Sequence, residues 1–174
     1  FKLDLIMEAA PSAVFVYNEN YDQTNTNKSL LKALRASHEG PVLWMNGDVV
    51  FDPAILTRLR EHIDQGKTVI AVNTSAVSDE EVKYTVNADG SVKELSKTVV
   101  GGLGEAVGIN AVSAADKAAL IARLDECAEQ DYFERGIELA IEKDGLKVVP
   151  IDISDLFAVE IDFEADLERA NERP

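Results

Sequence analysis

A chain of 174 residues is long enough for one domain with a full hydrophobic core and too short for two ordinary ones. Its 32 acidic and 17 basic residues leave a net charge of −15, which argues against a nucleic-acid or anionic-membrane surface, and no apolar run approaches the ~20 residues of a membrane span. A single cysteine, Cys127, excludes an internal disulfide and suits a reducing, cytoplasmic compartment.

The opening residues read as the end of a helix, with Leu3, Ile6 and Met7 on one face, as though the sequence began inside an element. S-A-V-F-V-Y from Ser12 reads as a buried strand. It runs into the polar loop N-E-N-Y-D-Q-T-N-T-N and then a helix opened by Ser29, with Leu30, Leu31 and Leu34 on one side. Residues 41–46 make a second strand. Asp52 and Pro53 mark a helix start, followed by the apolar face Ile55, Leu56, Leu59 and Ile63 and a stop at Gly66.

Residues 67–73 form a third strand, and Val82, Tyr84 and Val86 alternate into N-A-D-G before S-V-K-E-L, the mark of a hairpin. A strand over 106–112 is followed by Ser113 and Asp116, spaced as a capping box, and by a helix carrying Leu120, Ile121, Leu124 and Ala128. A further helix starts near Asp131. Strands over 146–151 and 157–161 and a closing helix in F-E-A-D-L-E-R-A complete the chain. Strands alternating with helices predict an α/β fold with a mixed, mostly parallel sheet, helices on both faces and an antiparallel hairpin excursion. No repeat, low-complexity tract or linker divides it.

Asp48 stands out in N-G-D-V-V-F-D, because apolar runs on both sides make it read as a carboxylate inside a buried strand. An unpaired charge there is costly, so a partner is required, and a metal ion is one. Val159-Glu160-Ile161-Asp162 again puts carboxylates at the end of an apolar strand, Glu160 and Asp162 on the same side by the period of two. In a parallel sheet the carboxyl ends of strands share one edge, where two such strands could meet on Mg²⁺. The remaining candidates read as structural: Cys127 as packing, His38 and His62 as exposed, Trp44 as core.

V-Y-N-E-N-Y-D-Q-T-N-T-N-K-S-L, L-W-M-N-G-D-V-V-F-D, E-L-S-K, G-E-A-V-G-I and V-E-I-D-F-E-A-D-L-E-R-A occur in one order and spacing. In these the chain resembles the later two-thirds of a nucleotidyltransferase of the sugar-phosphate and phosphocholine cytidylyltransferase type, with its GT-A-like, Rossmann-related fold. The resemblance implies catalytic roles for Asp48, Asp162 and Lys97 and a Mg²⁺ site on Asp48, Glu160 and Asp162. It implies substrate contacts from Asn18, Tyr21, Asn25, Ser29, Glu105, Gly108 and Tyr132. The partners implied are a nucleoside triphosphate and a small phosphorylated acceptor. For a choline acceptor, Tyr21, Tyr132 and Phe157 are the rings able to face a quaternary ammonium.

The family's glycine-rich loop with its Arg and Pro-Lys pair is absent, and G-G-L-G at 101–104 lacks the following cation a phosphate cradle needs. The chain is therefore expected to be a nucleotidyltransferase domain over 1–174 lacking its N-terminal nucleotide-binding segment, and inactive alone. An edge left open by such a segment would need closure, an N-terminal partner segment or a second copy in a homo-oligomer. The alternative is a non-catalytic α/β module using its acidic face for partner binding or regulation.

Overall fold

The computed structural model describes residues 2–75, 77 and 81–172. Its elements in chain order are α1 (Leu3–Ala9), α2 (Thr26–Ala36), β1 (Val42–Met45), β2 (Val49–Phe51), α3 (Ala54–Ile63), β3 (Thr68–Asn73) and β4 (Lys83–Val86). There follow β5 (Val92–Ser96), β6 (Glu105–Val112), α4 (Lys117–Glu126), α5 (Phe133–Asp144), β7 (Val148–Asp152), β8 (Ala158–Glu160) and α6 (Glu164–Asn171).

The central sheet runs β5-β4-β6-β3-β7, with β1 paired to β6 as well, and β2 and β8 form a separate two-stranded ribbon. The mixed α/β fold and the β4–β5 hairpin are as read from the sequence. The proportion of parallel pairing is not. Only β3 and β7 run parallel among the described residues, while β6 is antiparallel to β1, β3 and β4. No helix lies between β3 and β6; the hairpin reverses the chain there, so β6 returns against its neighbours instead of crossing over.

Alternation in β3 divides the core in two. Ile70 and Val72 face one side with Leu30, Leu34, Leu124 and Ile137, so α2, α4 and α5 cover that face. Val69 and Ala71 face the other, where Ile55 and Leu59 of α3 are fully buried and contribute roughly 2 kcal/mol each. Val49, Phe51 and Ala158 of the ribbon pack onto this second core. Lys28 of α2 donates to the carbonyls of Leu124, Asp125 and Cys127, tying α2 to the end of α4 and placing a cation at its negative pole.

Several local expectations are corrected. Ser12 to Tyr17 forms no strand: Val14, Phe15, Val16 and Tyr17 are all exposed, because a β-prone run is buried only where a neighbour pairs with it and a face covers it. The helix read as starting at Ser29 begins at Thr26, since Asn25 caps it by accepting from the Thr26 N–H at 2.8 Å. Ser113 Oγ accepts from Asp116 N in the turn before α4, whose N-cap is Asp116; the Ser113 N–H goes to Thr68 Oγ1, which in turn donates to Asp116, so the reciprocal capping box does not form. His62 is half-buried, whereas His38 is exposed as expected.

Candidate active site

Asp48 is exposed and lies in a turn, not inside a strand. The apolar run read as continuous is split: β1 ends at Met45 in the main sheet, and β2 starts at Val49 in the ribbon. Asn46-Gly47-Asp48 bridges the two. The Asn46 N–H donates to the Gly108 carbonyl at 2.9 Å, and Gly108 has φ +70° with room for no side chain, since a Cβ would stand 2.6 Å from Asn46 Nδ2. That close approach lets Asn46 Nδ2 donate to Glu160 Oε1 at 3.3 Å.

The ribbon brings the distant acids to this turn. β2 and β8 pair antiparallel with Val49 opposite Glu160, and the Ile161 N–H donates to the Asp48 carbonyl at 2.9 Å. Convergence therefore comes from an antiparallel ribbon beside the sheet, not from the shared edge of parallel strands. Glu81, Glu160 and Asp162 each offer a carboxylate oxygen within 4.8 Å of the others. Burial raises the Glu160 pKa, and the charges of Asp48, Glu81 and Asp162 raise it further, with the Asn46 hydrogen bond opposing them. An all-oxygen set of crowded carboxylates fits Mg²⁺ in ligand chemistry and in its need for positive charge.

Above these acids lies a cleft of about 510 Å³, lined by Ser29, Trp44, Asp48, Lys97, Gly108, Tyr132, Glu134 and Glu160 among others. Lys97 Nζ stands 5.4 Å from the centre of the Tyr132 ring. Trp44 meets Phe133 edge to face at 5.9 Å between ring centres. Glu134 is 9% exposed, and burial pushes its carboxyl up to about 7, with Glu160 adding to the rise and Lys97 opposing it. Glu81, Glu160 and Asp162 also face a second cavity of about 430 Å³ that holds Glu105 and Phe157.

The residues expected from the sequence thus divide. Asp48, Glu160, Lys97, Ser29, Gly108 and Tyr132 share the first cleft, and Asp162 joins through the acidic cluster. Glu105 lines the second cavity instead. Asn18 holds its loop closed, donating to Thr24 and Ser29, and Asn25 joins the start of α2 to Gln130. Tyr21 is exposed and lines neither cavity, and Phe157 lies in the second, so of the three rings proposed for choline only Tyr132 shares the first cleft with Asp48.

Sequence reasoning missed Asn46, Glu81 and Glu134. Asn46 adjoined the G-D pair already singled out, so its role as the brace of Glu160 was within reach. Glu81 sits in an acidic run with no periodic signal, and Glu134 reads as an ordinary acid in the first turn of a helix.

No protein-family model matches the chain, and no curated protein sequence does. Solved structures do. The inositol-1-phosphate CTP transferase from T. maritima superposes with a TM-score of 0.80 at 16% identity, over 97% of this chain and 70% of that one. CTP:phosphocholine cytidylyltransferase from Streptococcus pneumoniae gives 0.73 at 16% identity, over 98% and 72%. A UDP-glucose pyrophosphorylase complexed with UDP-glucose gives 0.69 at 10% identity, over 98% and 72%. At such identities the likeness shows the fold: this chain has the mixed α/β fold that these nucleotidyltransferases share.

Proposed function

We propose that this chain carries the metal and acceptor side of a Mg²⁺-dependent nucleotidyltransferase. The reaction would move a nucleotidyl group, cytidylyl by first preference, from a nucleoside triphosphate to a small phosphate monoester such as inositol phosphate, phosphocholine or a sugar 1-phosphate. The observation that carries this reading is the meeting of the Asp48 turn with Glu160 and its acidic neighbours on the wall of a cleft that also presents Lys97. The shared fold supports it.

In this reading Asp48, Glu160 and Asp162, with Glu81, hold Mg²⁺. Bound there, the ion would supply positive charge to the phosphate oxygens. Asn46 fixes the Glu160 carboxylate, and Gly108 makes room for Asn46. Lys97 is within reach of both the cleft and its rim and offsets charge on the acceptor phosphate. An acceptor phosphate oxygen attacks the α-phosphorus. A new P–O bond forms as the bond to the α–β bridging oxygen breaks, and that electron pair leaves with pyrophosphate. The ionised phosphate needs no general base, so positioning and charge carry the rate.

A glycine-rich loop with Arg and Pro-Lys is not among the 174 residues. Gly104 does not replace it, because its backbone is packed against the Asn73 carbonyl. The isolated chain should therefore bind CTP weakly and turn over none. Calorimetric titration with CTP and Mg²⁺, beside a version extended upstream in its gene, tests this. Equal, tight binding by both would place the nucleotide site within these residues and defeat the two-part reading.

A further inference from the structure

The chain carries a strand-like segment without a sheet and a sheet edge without a strand. The segment is the arm Val14-Phe15-Val16-Tyr17, exposed at every residue, whose backbone makes no hydrogen bond among the described residues. The edge is β1, which pairs with β6 alone. Because the Asn46 N–H donates to Gly108 and bonding alternates along an antiparallel pair, Val42 and Trp44 bond to β6 while Leu43 and Met45 direct N–H and C=O outward. No described residue pairs with that outer side. Arm and edge match in length, four residues each, and both lie in stretches without charge, residues 9–18 and 40–47, in a chain of net charge −15. They match in patterning as well. Val42 and Trp44 pack on the first core and Leu43 on the second, so a strand added beside β1 has apolar surface on both faces, which is what a continuous apolar run such as the arm requires.

We propose that two copies of this chain exchange these elements, residues 14–17 of each completing the open edge of β1 in the other. Within one copy the arm and β1 do not pair, and the arm is anchored at its end, where the Asn18 side chain donates to Thr24 and Ser29 at 3.0 Å. Reciprocal exchange closes on a two-fold axis, so both arms and both edges are satisfied together and no fibre grows. A foreign strand would cover the edge and leave the arm bare. Charge selects the same contact: copies of net charge −15 repel one another on average, whereas these two stretches bring no carboxylate to the interface. Main-chain bonds then hold the dimer, and an edge open to indiscriminate pairing is removed. Trp44 and Met45 line the cleft, as does the Ser29 held by Asn18, so the arm of the second copy borders the cleft and the chain's own arm braces its wall. The inference does not depend on the transferase reading.

The test joins analytical ultracentrifugation of the 174-residue chain to residue-resolved hydrogen exchange, each over a wide range of concentration. A dimer should form, and the Leu43 and Met45 amides should exchange more slowly as it does, while Trp44, already bonded to β6, changes little. Val14→Lys puts a charge into the exchanged segment, and because Val14 is 92% exposed it has no packing to lose in a single copy. It should weaken dimerisation by on the order of a hundredfold and return Leu43 and Met45 to fast exchange. Val100→Lys, at a position 94% exposed and outside both elements, should leave both measurements unchanged. A chain that stays monomeric overturns the inference. So does a dimer that survives Val14→Lys, one that Val100→Lys breaks equally, or one in which Leu43 and Met45 exchange as fast as in the monomer; all of these leave the transferase reading standing.

Discussion

On the outer surface Asp89, Asp144 and Asp155 lie against Lys147, Arg123 and Arg58, whose hydrogen bonds hold all three carboxyls below the ordinary aspartate range. On the cleft wall Glu134 and Glu160 are raised, first by burial and then by other carboxylates. The first group is matched to cations of the same chain. The second is left with excess negative charge and, among the described residues, one unpartnered oxygen, Glu134 Oε2. Groups kept at a cost to the fold are where a ligand is expected to supply the missing charge or proton, whereas the surface pairs do little beyond solvation.

The strongest way to break this contrast is at the acids themselves. In any version that carries out the proposed nucleotidyl transfer, Asp48→Asn or Glu160→Gln should lower the rate by on the order of a thousandfold while circular dichroism and melting stay near wild type. Retained transfer would remove these carboxylates from the site. Next comes pH. Glu134 titrates near 4.5 when unfolded and about 7 when folded, so between those values the folded state binds the extra proton. Stability must then fall as pH rises through the window, with the loss complete above it, and its size is on the order of 3 kcal/mol. Denaturant melts at pH 5 and pH 8 should show that slope in wild type and a flatter one in Glu134→Met; equal slopes would refute the burial of an ionisable group here.

Gly108→Ala is a smaller perturbation. It places a side chain at positive φ and against Asn46, and should cost about 1–2 kcal/mol by denaturant melting. Because Asn46 braces Glu160, it should also weaken the proposed Mg²⁺ binding, and an unchanged metal titration would show that the brace is dispensable. The smallest effect belongs to the other side of the contrast. Lys147→Met, which strips Asp89 of its exposed partner, should leave the melting temperature indistinguishable from wild type in moderate salt.

The elements that bury a face were legible because burial imprints a period: α3 through Ile55 and Leu59, β3 through its alternation, β4 and β5 through N-A-D-G. What depended on neighbours was not. Val14 to Tyr17 has the composition of a strand and is left uncovered, and the direction of β6 is set by a hairpin outside it. Asp48 was singled out for the wrong physical reason, since the turn at Asn46–Asp48 exposes it; its charge lies near enough to raise Glu160, but the carboxylates that close on one another are Glu81, Glu160 and Asp162. Glu81 and Glu134 could not be, because a carboxylate's neighbours in space leave no trace in its neighbours along the chain.

The β2–β8 ribbon has a consequence for kinetics. It pairs three residues with three, outside the central sheet, yet it is what brings Asp48 and Glu160 together. So short a ladder can open locally far more readily than the strands of the core, and each opening would disperse the acids while the rest of the molecule stays folded. A cation bound across both strands would act as a latch, slowing amide exchange at Val50 and Val159 without touching Val69 or Ile70. The rate at which the site assembles and comes apart is then a property of six residues and can change independently of the stability of the domain that carries them.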